Sequence, residues 1–208
     1  MKIGIISCYR HPSRLERLRP SALPSSAPEL IAGLCPADAE IELVIEREQV
    51  MRYDRGWDLA FLSYLHSDFE HARVVSERLR EVGTVTIAGG RHASTFPELC
   101  TESFDAVVVG EPERAVPALI ADWAQGELGS VYERPVQTPA EIRPARYDLI
   151  DFSANTFRLP ALEATRGCPF SCGFCVLTGK EKWRYRPVAE VVAEIRDRKV
   201  LAEKSMRS

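Results

Sequence analysis

Five short runs of hydrophobic residues lie between the N-terminus and Gly110. They cover residues 2–8, 41–46, 57–65, 85–90 and 104–110, and several are apolar at nearly every position. A strand with one face in water alternates apolar and polar residues, whereas a strand buried on both faces of a parallel sheet does not. The pattern therefore predicts five strands of a parallel β-sheet.

Segments with helical periodicity separate the later runs. From Asp68 to Val82 the apolar residues form one helical stripe, and Gly83 is suited to end that helix. A second stripe runs between Glu113 and Trp123, with apolar residues at Val116, Leu119, Ile120 and Trp123. Strands that alternate with helices predict a doubly wound, Rossmann-like α/β domain, which we place at residues 1–126.

The chain changes character after this domain. Residues 127–160 contain four prolines and no sustained period, so they are predicted to form a linker over the surface. The third unit, 161–208, is predicted to contain a short strand at 161–167, a cysteine-rich loop and a helix from Pro187 to Ile195.

Composition narrows the function classes. The 208 residues are 45% hydrophobic and 27% charged with a net charge of −3, which gives no basic excess for binding nucleic acid. No apolar run approaches the roughly 18 residues of a membrane span, and the N-terminal run is too short for a signal peptide. We therefore expect a cytoplasmic protein without a nucleic-acid partner or a membrane span. Its six cysteines should be reduced thiols rather than disulfides.

Three of the cysteines lie close together in TRGCPFSCGFC, residues 165–175. Thiolates of Cys168, Cys172 and Cys175 on one loop would each bind one iron of a 4Fe-4S cluster and leave the fourth iron open to a small chelating molecule. The alternatives are a structural zinc site, a redox pair formed by Cys172 and Cys175, or thiols with no shared role. Zinc would need a distant fourth ligand, because no histidine follows His92.

The stretch TRGCPFSCGFC resembles the cluster loop of radical S-adenosylmethionine enzymes. In that family the loop follows the first strand of a partial (β/α) barrel, and an aromatic residue precedes the third cysteine. The resemblance implies that Cys168, Cys172 and Cys175 bind a 4Fe-4S cluster, that S-adenosylmethionine chelates the open iron, and that the backbone around Phe174 lies near its adenine. The family uses an electron from the cluster to cleave S-adenosylmethionine to methionine and a 5'-deoxyadenosyl radical. Residues 179–195 also resemble the segment that follows the cluster.

The N-terminal domain resembles doubly wound cobalamin-binding domains. These often carry DxHxxG after the first strand, SxL after the third and GG after the fourth. Here Ser63-Tyr64-Leu65 and Gly89-Gly90 stand at the ends of the corresponding predicted strands. The resemblance implies that Ser63, Leu65, Gly89 and Gly90 contact cobalamin, with small residues that allow close approach of the cofactor tail.

The DxHxxG element is missing. His11 lies in the loop after the first strand, but its context YRHPSR does not match, and His92 follows the glycines. We expect any bound cobalamin to lack a protein imidazole, or the domain to have lost the cofactor. The stretch VVVGEPERAVPALI also resembles this family, although Glu111 and Glu113 would equally suit the first turn of any helix.

The expected function is that of the N-terminal part of a cobalamin-dependent-type radical S-adenosylmethionine enzyme acting on a small molecule. A complete barrel takes about 250 residues, whereas the segment from Ala161 to Ser208 accommodates about one strand–helix unit. We therefore expect this chain alone to be inactive, with a separate chain as one means of completing the barrel. The alternatives are a non-catalytic cobalamin-type binding module and an unrelated zinc or redox protein. The residues do not distinguish a methyltransferase from a cyclase.

Overall fold

A six-stranded parallel sheet forms the centre of the computed structural model, which describes residues 1–9, 26–136, 138–142, 145–149, 162–175 and 182–205. The strands are β1 (Lys2–Ser7), β2 (Glu40–Ile45), β3 (Leu59–Ser63), β4 (Val85–Gly89), β5 (Ala106–Val109) and β6 (Val131–Glu133). Their order is β2-β1-β3-β4-β5-β6, and every neighbouring pair is parallel. This arrangement confirms the predicted doubly wound α/β fold.

Helices cover both faces of the sheet. They are α1 (Ala27–Leu34), α2 (Phe69–Glu81), α3 (Arg91–Thr95), α4 (Pro97–Thr101) and α5 (Pro112–Ala124). Helices α1 and α5 pack on one face, and α2, α3 and α4 pack on the other, so the sheet separates two apolar clusters. In β3, Leu59 and Phe61 belong to one cluster, and Ala60 and Leu62 belong to the other. Burial on both faces explains why the strand sequences are continuously apolar.

Four of the helices and strands of this domain were not individually predicted from the sequence. They are the helices α1, α3 and α4 and the strand β6, which lies within the segment predicted as a linker. Strand β6 has only three residues, of which Tyr132 alone is buried, and its hydroxyl donates to Asp122 (3.0 Å). Such a strand is too short to show a period. The sheet thus continues beyond residue 126, while the division of the chain into three units stays a prediction.

The C-terminal segment contains a small antiparallel ladder and a helix. Strand β7 (Thr165–Arg166) pairs with β8 (Arg184–Tyr185), and α6 (Val188–Ser205) follows. The predicted strand at 161–167 is therefore two residues long, with residue 161 outside the described part, and the predicted helix extends to Ser205. Within the described residues, no helix has both the length and the apolar character needed to cross a membrane.

Candidate functional site

A cavity of about 440 Å³ opens at the carboxyl ends of β3, β4 and β5. Its apolar wall includes Leu30 and Ile31 of α1, Phe61 of β3 and Val116 of α5. The other side is formed by residues 163 and 165–168, which lead into the cysteine loop. Ligands of doubly wound sheets bind in a crevice at this edge of the strands. The cavity is therefore the candidate ligand site of the molecule.

Three of the four residues predicted to contact cobalamin lie in this cavity. Ser63 ends β3 and is paired in register with Gly89, the last residue of β4, and both line the cavity together with Gly90. Gly90 has a φ of +95°, which side chains of L residues rarely adopt, and a Cβ atom at Gly89 would meet no atom within 4 Å. The strand ends thus leave open space for a ligand. Leu65 is 63% exposed and does not line the cavity.

The cysteine loop reaches the cavity through its first thiol. Cys168 lines the cavity, Cys172 is exposed, and Cys175 is partly exposed and donates its backbone N–H to the carbonyl of Cys172 (3.0 Å). Phe174 is 92% exposed. Across the described residues, no three histidine, cysteine, aspartate or glutamate side chains come close enough together to hold a metal ion. The structure brings Cys168 to the candidate site but does not gather the three sulfurs.

The remaining cysteines have thiols that resist ionisation. Burial raises the pKa of Cys8 well above its usual value, and it raises the pKa of Cys35 to about 12 despite the opposing charge of Arg146. Burial also raises the pKa of Cys100, against the hydrogen bond with Tyr64. A metal ligand must be a thiolate, so these positions are poor sources of a fourth zinc ligand.

Glu111 and Glu113, at the start of α5, pair with the β7–β8 ladder. Glu111 accepts two hydrogen bonds from Arg184, at 2.8 and 2.9 Å, and Arg166 lies 2.6 Å from a carboxylate oxygen of Glu113. Burial raises the pKa of Glu113 above its ordinary value and outweighs the charge of Arg166. Burial acts in the same direction on Glu111, but Arg184 and Arg166 hold the pKa of that carboxyl below its ordinary value. Glu111, the N-cap residue of α5, and Glu113, in the first turn of α5, thus join this helix to the β7–β8 ladder.

Arg91 and Ser94 also line the cavity and were not singled out from the sequence. The Ser94 hydroxyl donates to the Gly90 carbonyl (2.8 Å) and accepts from the Gly110 backbone N–H (2.8 Å), which ties the end of β4 to the end of β5. The available signal was the run of polar residues that opens α3 directly after Gly90. Exposed polar residues are common at helix starts, so this signal has little specificity.

Among the described residues, no histidine lines the cavity. His92 is 3% exposed on the α2 face of the sheet, where its ring stacks on Phe69 with centroids 4.5 Å apart. Its Nδ1 lies 2.7 Å from Nδ1 of His66, while its Nε2 is buried and makes no hydrogen bond among the described residues. His92 is not a lining residue of the cavity, and His11 falls outside the described residues.

Acidification is expected to destabilise the fold through His92. Burial, together with the nearby His66, lowers the pKa of His92, so the unfolded chain binds a proton that the folded chain binds less readily. The stability contributed by neutral His92 is present above the unfolded pKa of about 6.5 and decreases as the pH falls below it. Urea unfolding at about pH 7.5 and about pH 5.5 should show a smaller decrease for His92→Phe than for the wild type. Equal decreases would contradict this role of His92.

Two curated methyltransferases resemble the chain in sequence. It is 29% identical over 162 residues to bacteriochlorophyllide d C-8(2)-methyltransferase of Chlorobaculum tepidum, covering 73% of this chain and 36% of that protein. It is 26% identical over 149 residues to bacteriochlorophyllide d C-12(1)-methyltransferase of the same organism, covering 68% of this chain and 32% of that protein. The chain therefore spans about a third of the length of these curated relatives. No protein-family model matches it.

The solved structure of the cobalamin-dependent S-adenosylmethionine radical enzyme OxsB with aqua-cobalamin bound is similar to this fold. The TM-score is 0.70 with 15% sequence identity, and the likeness covers 94% of this chain and 31% of that one. At this level of identity the likeness concerns the fold alone. It confirms the Rossmann-like architecture predicted from the sequence.

Proposed function

We propose that this chain provides the cobalamin-binding domain and the cluster-binding loop of a cobalamin-dependent radical S-adenosylmethionine methyltransferase. One observation carries the proposal: a single cavity is lined both by the strand-end residues Ser63, Gly89 and Gly90 and by Cys168. Two cofactors that act on one substrate must lie close together. The methyltransferase relatives and the shared fold with a cobalamin-dependent radical enzyme support the same assignment.

The cavity has the chemistry expected for the tail of cobalamin. Its inner wall is apolar, which suits a flat heteroaromatic ring, while Ser63 and Arg91 supply polar groups. Ser63 lines the cavity, and its hydroxyl could donate or accept a hydrogen bond with a ligand there. Gly89 and Gly90 would let the ligand approach the backbone at the ends of the strands.

The cysteine loop has the donor set expected for a 4Fe-4S cluster. Cys168, Cys172 and Cys175 are free thiols on one loop, and Cys172 and Cys175 are joined by a backbone turn. Three thiols would leave one iron open for S-adenosylmethionine, near Phe174 by the family resemblance. When bound, the cluster would supply the electron that cleaves S-adenosylmethionine, and cobalamin would carry the methyl group.

Turnover is proposed to need more polypeptide than the described segment provides. Beyond the cysteine loop the described residues contain β8 and α6 but no further parallel strand. Large apolar side chains are exposed there, namely Trp183, Tyr185, Val188, Val192 and Ile195. We propose that further strand–helix units, in the same protein or in a separate chain, cover this surface and complete a site for a small methyl-accepting substrate.

The second candidate is a cobalamin-type binding module whose cysteine loop is not used. It is favoured by the separation of the three sulfurs and by the exposure of Phe174. The two candidates share the cavity and differ in iron binding.

Cofactor binding tests the proposal directly. The protein is incubated with ferrous iron and sulfide without oxygen, desalted and assayed for iron, absorbance near 400 nm and the EPR signal after reduction. Cyanocobalamin binding is measured separately by equilibrium dialysis. Binding of both cofactors is expected. Cobalamin binding without iron would favour the binding module, and binding of neither would refute both candidates.

Filling the cavity at Gly89 is expected to weaken cobalamin binding without unfolding the protein. A Cβ atom at Gly89 meets nothing within 4 Å, so the larger side chain of Gly89→Leu should enter the cavity. We expect at least a tenfold weaker affinity, or about 1.4 kcal/mol, with an unchanged urea midpoint. The control is Gly129→Ala, whose Cβ contacts begin at an ordinary 3.5 Å and which does not line the cavity. Unchanged affinity in Gly89→Leu would place the ligand elsewhere.

A further inference from the structure

Two glutamates and two arginines join α5 to the β7–β8 ladder, and we call them the α5–ladder network: Glu111, Glu113, Arg166 and Arg184. Arg184 binds both carboxylate oxygens of Glu111 (2.8 and 2.9 Å). Arg166 donates to Glu111 (3.3 Å) and lies 2.6 Å from Glu113. Arg166 also donates to Glu163 (2.7 Å), which precedes it on the same segment.

The network is buried at its centre. The side chain of Glu113 is 2% exposed and that of Arg166 is 8% exposed. Burial opposes the charge on Arg166, but Glu163 and Glu113 outweigh burial and raise the pKa of the guanidinium. Arg166 lies within ion-pair distance of the Glu113 carboxyl, and its charge opposes the effect of burial on the pKa of that carboxyl. Arg166 thus places a positive charge beside the buried Glu113 carboxyl and lowers the cost of burying it.

The glutamates also allow the ladder to form. Arg166 and Arg184 are directly opposite each other in the β7–β8 register. Like charges at facing positions destabilise an antiparallel pair. Glu111 contacts both arginines and thereby cancels the repulsion.

Buried charged residues, rather than buried apolar ones, mark the described part of this segment. No hydrophobic side chain is buried among the described side chains of residues 162–175 and 182–197, whereas Arg166, Arg186 and Glu194 are buried. Arg186 pairs with Glu194 of α6 (2.5 Å) and donates to the Glu163 carbonyl (2.9 Å). The ion pairs thus continue from α5 through the ladder to α6.

The network stands between the cavity and the cysteine loop. Glu111 follows Gly110 at the end of β5, and Arg166 is followed by Gly167 and Cys168; all of these residues line the cavity. We infer that Glu111 and Glu113 hold Arg166 and Arg184 so that the cysteine loop is fixed at the mouth of the cavity. Arg166 is then a positioning residue, and this role rests on the function proposed above. The attachment of the ladder to α5 by ion pairs does not depend on that function.

Hydrogen exchange tests the attachment. Glu111→Gln keeps the shape of the side chain and removes its charge. Backbone amides of residues 162–175 and 182–190, among them the Arg186 N–H bonded to the Ala164 carbonyl, are expected to exchange at least tenfold faster, with β1 to β4 unchanged. The matched control is Glu70→Gln, which removes one charge from an exposed ion pair with Arg73. If Glu111→Gln fails to fold, Arg184→Lys serves instead, because it keeps the charge and loses the two parallel hydrogen bonds. If a folded Glu111→Gln or Arg184→Lys variant exchanged these backbone amides at the wild-type rate, the inference would be overturned.

Alkylation of cysteine tests the positioning role. Iodoacetamide is applied with and without cyanocobalamin, and modification of each cysteine is followed by mass spectrometry. In the wild type cyanocobalamin should slow alkylation of Cys168 at least fivefold and leave the exposed Cys172 unchanged. In Glu111→Gln the protection of Cys168 should be lost, and it should persist in Glu70→Gln.

The outcomes separate the two proposals. Failure of the wild type to bind cyanocobalamin would refute the cobalamin part of the proposed function. Hydrogen exchange would still test whether the ion pairs attach the β7–β8 ladder to α5. Equal protection of Cys168 in the wild type and in Glu111→Gln would refute the positioning role while leaving cobalamin binding intact.

Discussion

Replacing any one of Cys168, Cys172 and Cys175 by serine is expected to abolish iron–sulfur reconstitution. Each thiolate would bind one iron, so the loss of one leaves two ligands on a loop that the structure shows partly in solvent. We expect about four irons per chain in the wild type and less than about one in each variant, by iron and sulfide assay and by EPR.

Cys35→Ser is the matched control for these variants. Cys35 is also partly exposed, but its pKa of about 12 keeps it a thiol, and its Sγ donates to the Ile31 carbonyl (3.3 Å). The control should reconstitute like the wild type. Full iron content in any of the three loop variants would overturn the cluster assignment, and stoichiometric zinc that is lost in the same variants would identify the zinc site instead.

Gly4→Ala is expected to destabilise the sheet domain by about 3 kcal/mol, the upper part of the usual range for overpacking. Gly4 lies in the middle of β1 between Glu42 and Ala60. A Cβ atom there would lie 2.5 to 2.8 Å from three ring atoms of Trp57. The indole is 3% exposed and donates to Glu42 (3.0 Å), so a shift of the ring would disturb both its packing and this hydrogen bond. Urea unfolding followed by circular dichroism measures the change.

Gly89→Ala provides the comparison within the same sheet. Its Cβ would have no neighbour within 4 Å, so the unfolding free energy should change by less than about 0.5 kcal/mol. Gly4→Ala combined with Trp57→Leu should lose less stability than the sum of the two single variants, because the smaller side chain relieves the contact. A Gly4→Ala variant as stable as the wild type would show that the indole moves easily.

The sheet was predictable because its strands are buried on both faces, which produces the uninterrupted apolar runs at residues 2–8, 57–65 and 85–90. Strand β6 escaped prediction because only Tyr132 marks it. Ser63, Gly89 and Gly90 were placed together because the ends of neighbouring parallel strands must meet at one edge. Leu65 belongs to the same sequence motif but lies beyond the strand end, directly before the short helical turn His66–Asp68, and is exposed.

The α5–ladder network was not predictable in the same way. Arg166 and Glu111 are 55 positions apart, and Arg184 and Glu111 are 73 apart. Charged residues follow no period that would reveal such a pair, and each of them has an ordinary explanation on a solvated surface. Only the three-dimensional arrangement shows that opposite charges from separate segments share a buried site.

The described side chains of the C-terminal segment belong to neither apolar cluster of the sheet domain, and this has a consequence for synthesis of the protein. Neither apolar cluster takes a side chain from residues 162–175 or 182–197, so the sheet domain can complete its core before the ribosome has added the cysteine loop. The loop then emerges beside a finished surface on which Glu111 and Glu113 are already in place. Under the function proposed above, assembly of the oxygen-sensitive cluster on the thiols would begin only after the sheet domain has folded.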